Sequence, residues 1–149
     1  MSKSSFVYVT FIRTTPEKLW SALIGPEFTR QYWFGTHQES DWKAGSLWKL
    51  VFADGRVADA GEVVEIDPPR RLVLKWRNEF KPELKAEGYS RCTIELEPTG
   101  GVVKLIVTHA IDRSDSKLIE AVSGGWPLIL SNLKSLLETG ELALASKPG

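Results

Sequence analysis

The chain has a single cysteine, Cys92, and so cannot close an internal disulfide. A reducing, cytoplasmic setting is the expectation. Two histidines, His37 and His109, are too few for a histidine- or cysteine-based metal site. No metal and no cofactor are expected. Nineteen basic and nineteen acidic residues cancel, which removes the electrostatic footprint for nucleic acid or an anionic membrane. No apolar run approaches the roughly 20 residues that a membrane-spanning helix needs. The opening MSKSSFVYVTFIRTTP lacks a signal-peptide core and a small-residue cleavage site. Repeats, low-complexity stretches and linkers are absent, as are nucleophile motifs. Gly124 and Gly125 follow no strand, so they do not form a phosphate loop. What the chain has in excess is tryptophan, six in 149 residues. Such large amphipathic side chains suit surfaces that must meet something.

Phe6 to Arg13 alternates and is rich in β-branched residues, which predicts a strand. A short helix follows, started either by Thr15 with Pro16 at the first position or by a Thr14–Glu17 capping box. Gly25-Pro26 stops it and opens a second short helix, from Glu27 to about Trp33. Strand and turn signals come next. Strands are expected near 38–41, 46–53, 56–66, 71–77, 89–97 and 102–110. Asp54-Gly55 and Gly100-Gly101 are hairpin turns, and Gly61 marks a bulge or a close approach. Asn78 to Gly88 is polar and reads as a long exposed loop.

The last third predicts one long helix, Ser114 to Gly140, with Ser114 as N-cap. Leu118, Ile119, Val122, Trp126, Ile129, Leu130, Leu133, Leu136 and Leu137 recur at steps of three and four and make one apolar face. Gly124, Gly125 and Pro127 sit inside it, where each should weaken or bend the helix. Either they form a hinge, or they let Trp126 approach the sheet closely. The order of elements is that of an α+β fold: a curved antiparallel sheet of about six to seven strands around the long C-terminal helix, with two short helices after the first strand. Residues 5–142 are expected to form a single domain and 143–149 a flexible tail.

Three segments carry a family resemblance: TTPEKLWSALIGPEFTRQYWFG, GEVVEIDPPRRLVLKW and GGWPLILSNLKSLLE. They resemble the activator-of-heat-shock-protein-90-ATPase homologues, in the START-like (SRPBCC) helix-grip superfamily. That resemblance implies a cavity between sheet and helix that holds a hydrophobic or aromatic small molecule, lipids included. Some relatives are polyketide cyclases or hydroxylase components. One eukaryotic branch activates a chaperone ATPase, a stress-response role that uses an additional domain. The partners implied are an apolar small molecule and a chaperone or other protein, with the chain as monomer or homodimer.

Trp33, Phe34, Trp48, Trp76 and Trp126 are the aromatic candidates for the cavity wall, the alternative being that they fill the core. Val122, Ile129, Leu130 and Leu133 complete the expected pocket from the helix. His109 shares a strand face with Val103, Leu105 and Val107, which aims it toward the cavity. It is then a pocket hydrogen-bond partner or a general base, or else a strand-end histidine bonded to backbone or water. Ser90, Cys92, Ile94 and Leu96 should face in, and Arg91 and Glu95 out. Of the acidic residues, Asp59 and Glu62 lie nearest a strand centre, and the alternation does not decide which faces the cavity. No catalytic residue can be assigned. A binding domain is therefore the first expectation, ahead of a protein-interaction module and a cyclase-like or hydrolase-like enzyme.

Overall fold

The computed structural model describes residues 3–144. Seven strands form one antiparallel sheet: β1 (Ser4–Ile12), β2 (His37–Ser40), β3 (Leu47–Val51), β4 (Val57–Asp67), β5 (Arg71–Asn78), β6 (Ser90–Thr99) and β7 (Val102–Ile111). Their order is β1-β7-β6-β5-β4-β3-β2. From β2 to β7 every strand pairs with its sequence neighbour, so hairpins build the sheet. Only β1 crosses over, to close the far edge against β7.

Helices α1 (Pro16–Ile24) and α2 (Pro26–Tyr32) follow β1. Thr15 is the N-cap of α1, its hydroxyl accepting from Lys18 N at 3.2 Å, so of the two expected starts the simple cap is the one used. The long helix α4 (Lys117–Thr139) lies across the sheet. Its apolar stripe buries Leu118, Ile119, Trp126, Ile129, Leu130 and Leu133. Gly140, at φ 82°, ends it in the left-handed conformation open to glycine.

Three expectations need correction. The N-cap of α4 is Ser116 and not Ser114, and its hydroxyl accepts from Ile119 N at 3.1 Å. Asp115 at φ 52° makes the turn that delivers it. Glu87 reinforces this start from outside the helix, its carboxylate accepting from Ser116 Oγ at 2.6 Å and Lys117 N at 2.8 Å. Segment 78–88 is not simply an exposed loop. It holds a short helix, α3 (Pro82–Lys85), whose Leu84 is buried against Ile111, Leu118 and Ile119. The polar composition hid one anchoring leucine.

The third correction concerns Gly124, Gly125 and Pro127. The helix runs through them without interruption for 23 residues. A Cβ placed at either glycine would meet nothing within 4 Å, so close packing does not account for them. For Gly61, expected to mark a bulge or a close approach, the structure selects the second. The strand irregularity lies between Val63 and Glu65, and Gly61 marks close approach instead. A Cβ there would sit 1.7 Å from the Lys75 carbonyl oxygen of β5.

The inward face of the sheet and α4 enclose the main core, and Leu84, Ile111, Leu118 and Ile119 form a second, smaller cluster. Ser90, Cys92, Ile94 and Leu96 point inward, and Arg91 points out. Glu95 pairs with Arg71 on the outer side at 2.9 Å. Within the tail expected from 143, Leu144 is held by Asn132, whose side chain both donates to its carbonyl at 3.0 Å and accepts from its N–H at 2.7 Å. Residues 145–149 lie outside the described residues.

Candidate ligand cavity

Gly61 organises the aromatic wall. It lies opposite Trp48 of β3 on one side and Trp76 of β5 on the other. With no side chain between them, the two indoles meet, ring centroids 4.6 Å apart. Trp76 then touches Trp33 at 6.1 Å, Trp126 at 5.8 Å and His109 at 5.1 Å. It is the hub of the cluster.

Each buried indole N–H in this cluster has its own acceptor. Trp48 Nε1 donates to Gln38 Oε1 at 3.0 Å, and Gln38 Nε2 in turn donates to Leu23 O at 2.6 Å. Trp126 Nε1 donates to His109 Nδ1 at 3.2 Å. That contact fixes the histidine tautomer. Nδ1 accepts, so the proton sits on Nε2 and goes to Ser90 Oγ at 2.8 Å, while the Ser90 hydroxyl donates to Trp76 O at 2.9 Å. Burial holds His109 neutral, its pKa pushed down to about 3. A ring with both nitrogens engaged and no solvent contact positions Trp126 and is not poised as a general base.

Between this wall, α4 and α3 lies a cavity of about 350 Å³. Trp33, Phe34, Trp76, Val122, Trp126 and Ile129 line it, six of the side chains expected there. Trp48, His109, Leu130 and Leu133 do not. Trp48 and His109 stand behind Trp76 and Trp126, and Leu130 and Leu133 are packed in the core. Phe34 is held at φ 51°, strained for an aromatic residue, in the turn that leaves α2. Gly125 also lines the cavity, and its missing side chain leaves room there. Exposed Phe80 and Ala121 mark the rim.

The lining holds one ionisable group, Asp59. It is 7 % exposed, while Glu62 points outward toward Lys75. Asp59 Oδ1 accepts from Trp76 Nε1 at 3.0 Å. Burial pushes its pKa up to about 7, against the pull of that hydrogen bond, with the nearby Glu79 adding to the rise. The polar lining is completed by Asn78 and Thr36. The pattern of the strand left Asp59 and Glu62 undecided, since Gly61 between them allowed either phase. The signal that separates them is the pair of tryptophans flanking Gly61, which fixes residue 61, and therefore 59, as inward. Among the described residues no cluster of three metal-ligating side chains occurs.

A hairpin-built sheet gripping a C-terminal helix, with a cavity between them, defines a START-like α+β helix-grip domain. The family described as Activator of Hsp90 ATPase homolog 1-like protein matches residues 13–138, and the chain belongs to it. Among solved structures, a protein from Mesorhizobium loti superposes with TM-score 0.78 at 24% identity, covering 93% of this chain and 100% of that one. A Cytophaga hutchinsonii protein gives TM-score 0.72 at 29% identity, covering 94% and 98%. An HSP90 activator from Plasmodium falciparum gives 0.72 at 26% identity, covering 89% and 95%. Among curated proteins, none matches the chain in sequence. No helix is long and apolar enough to cross a membrane.

Proposed function

We propose that the chain binds an apolar or aromatic small molecule in the cavity between sheet and α4. The observation that carries this reading is a space of about 350 Å³ walled by Trp33, Phe34, Trp76, Trp126, Val122 and Ile129, with few polar groups. That size lies within the range of ligand sites, roughly 300–1,000 Å³, as does the mix of apolar wall and sparse polar anchors. Binding without turnover is the favoured form. His109 is committed to Ser90 and Trp126, and Asp59 alone offers a titratable group to the cavity. The single, buried Cys92 supports a reducing, cytoplasmic setting.

The test is titration with a hydrophobic fluorophore, followed by fluorescence and by the shift in melting temperature. Gly125→Leu puts a side chain into the space and should abolish binding in a folded protein. Equal binding by this variant would remove the cavity as the site.

A second reading, protein contact, is favoured by a different observation. Val7, Val9 and Phe11 form an exposed apolar stripe on the outer face of edge strand β1, at 56%, 44% and 47% exposure. The relative from Plasmodium falciparum is an HSP90 activator. If this chain does the same, it should stimulate the chaperone's ATPase, and Val7→Ser with Phe11→Ser should reduce that stimulation while leaving fluorophore binding intact. No stimulation by the unaltered chain would count against this reading.

A further inference from the structure

Asp59 is more than nine-tenths buried, yet its side chain has one protein partner, Trp76 Nε1 on Oδ1. Oδ2 has no donor among the described residues. It is also not sealed in, since no buried side-chain oxygen in the described residues lacks both a partner and contact with open space. Asp59 lines the cavity, so the open space is the cavity. A buried carboxylate without a countercharge is costly. A ligand that brings the countercharge removes that cost.

The rest of the lining fits a cation. Trp33, Phe34, Phe52, Trp76, Phe80 and Trp126 give the cavity aromatic faces, whose electron-rich centres attract positive charge. No lysine, arginine or histidine lines it, so an anion finds no partner and meets Asp59. Asn78 Oδ1 is taken by Phe80 N and Lys81 N, and Thr36 Oγ1 donates to Trp33 O. Neither provides a charge.

We propose that the cavity selects a protonated amine carried on an aromatic or apolar body, with the ammonium on Asp59 Oδ2 and the body against Trp33, Trp126, Val122 and Ile129. This rests on the reading of the cavity as a ligand site and narrows it to one ligand class.

The charged neighbours of Asp59 are few. Glu79, after β5, is bound to Arg77 at 2.6 Å and Lys85 at 3.3 Å. β3 presents Leu50, α4 presents Val122 and Trp126, and the turn after α2 presents Thr36. His109 of β7 lies behind Trp76 and Trp126, neutral. Asp59 is thus the group whose ionisation, at about pH 7, sets the affinity for a cation. Amine binding should tighten from pH 6 to pH 8.

Three probes of matched shape test this on the full chain by calorimetric titration: 1-naphthylmethylamine, 1-naphthylmethanol and 1-naphthoate. At pH 8 the amine should bind at least about tenfold more tightly than the alcohol, the worth of one charge-assisted hydrogen bond, with the carboxylate weakest. The advantage should shrink at pH 6 and vanish in Asp59→Asn. Equal binding of amine and alcohol at both pH values overturns the amine preference and leaves the cavity as a ligand site. A preference that survives in folded Asp59→Asn also overturns it. If Asp59→Asn does not fold, the pH comparison on the unaltered chain decides alone. Failure of all three probes to bind overturns the ligand site itself, and the amine preference with it.

Discussion

Between Leu118 and Ile129, α4 turns Ala121, Val122, Gly125 and Trp126 toward the cavity. From Leu130 to Leu137 it faces packed side chains. The first half carries Ala121, Gly124 and Gly125, and its wall opposite is Asp59, Trp76 and Trp33. The second half buries Leu130 and Leu133 almost completely and is tied down at several points. Asn132 holds Leu144, Lys134 donates to the Phe11 carbonyl of β1, and Glu138 accepts from Arg13 N at 2.8 Å. One apolar stripe thus does two jobs. Continuous large residues give solid packing, and small residues in the same stripe leave a space that can be filled.

The largest expected effect separates the halves directly. Leu133→Ala, fully buried in the packed half, should cost about 4 kcal/mol in chemical denaturation, because its site cannot collapse. Val122→Ala, on the cavity wall, should cost about 1 kcal/mol, since much of its surface already faces space. Equal losses would mean that the two halves are packed alike.

Asp59→Asn should act only on the cavity side and only through pH. The folded pKa of about 7 lies above that of the unfolded chain, so the folded state holds the extra proton. Asp59 therefore costs nothing below the unfolded pKa, and the cost grows as pH rises from there and levels off above about 7. The variant should be more stable than the parent at pH 8, by up to about 4 kcal/mol, and within about 0.5 kcal/mol of it at pH 4. His109, with its depressed pKa, tilts stability the opposite way in acid, but it is present in both proteins and cancels in the difference. A difference that is flat with pH would show Asp59 to be solvated.

The start of α4 depends on Glu87. Burial raises its pKa, but the hydrogen bonds from Ser116, Lys117 and Leu118 outweigh this and leave it lowered. Its contribution is present above the carboxylate's unfolded pKa and is lost as pH falls through the lower folded value. Glu87→Gln should cost about 1 kcal/mol at neutral pH and less in acid. Urea melts at two pH values measure both.

The smallest effect is the most diagnostic. Gly124→Ala and Gly125→Ala should each stabilise α4, by up to about 1 kcal/mol, since neither new Cβ meets an obstacle. Only residue 125 lines the cavity, so only its substitution should weaken fluorophore binding.

The sequence pattern carried most of the fold. Alternation placed the strands, the 3.6-residue period placed α4, and its face was read correctly from Leu118 to Leu133. What was not legible depended on contacts between distant segments. Ser116 rather than Ser114 caps α4 because Glu87, 29 residues earlier, braces that hydroxyl. Trp48 faces inward as the alternation requires, but ring contact across Gly61 hides it behind Trp76. The glycines of α4 read as a hinge or a packing device, because spacing alone does not show that a missing side chain is facing empty volume.

The pair across Gly61 has an optical consequence. Two indoles 4.6 Å apart and inclined at 41° have transition dipoles that are close and skewed. Such dipoles couple, and the coupling gives a paired positive and negative band in circular dichroism. The signal exists only while β3, β4 and β5 are in register. Trp76 also donates to Asp59, so the same bands will respond when that carboxylate gains or loses its proton. The chain carries a built-in gauge of its own cavity wall, readable without any label.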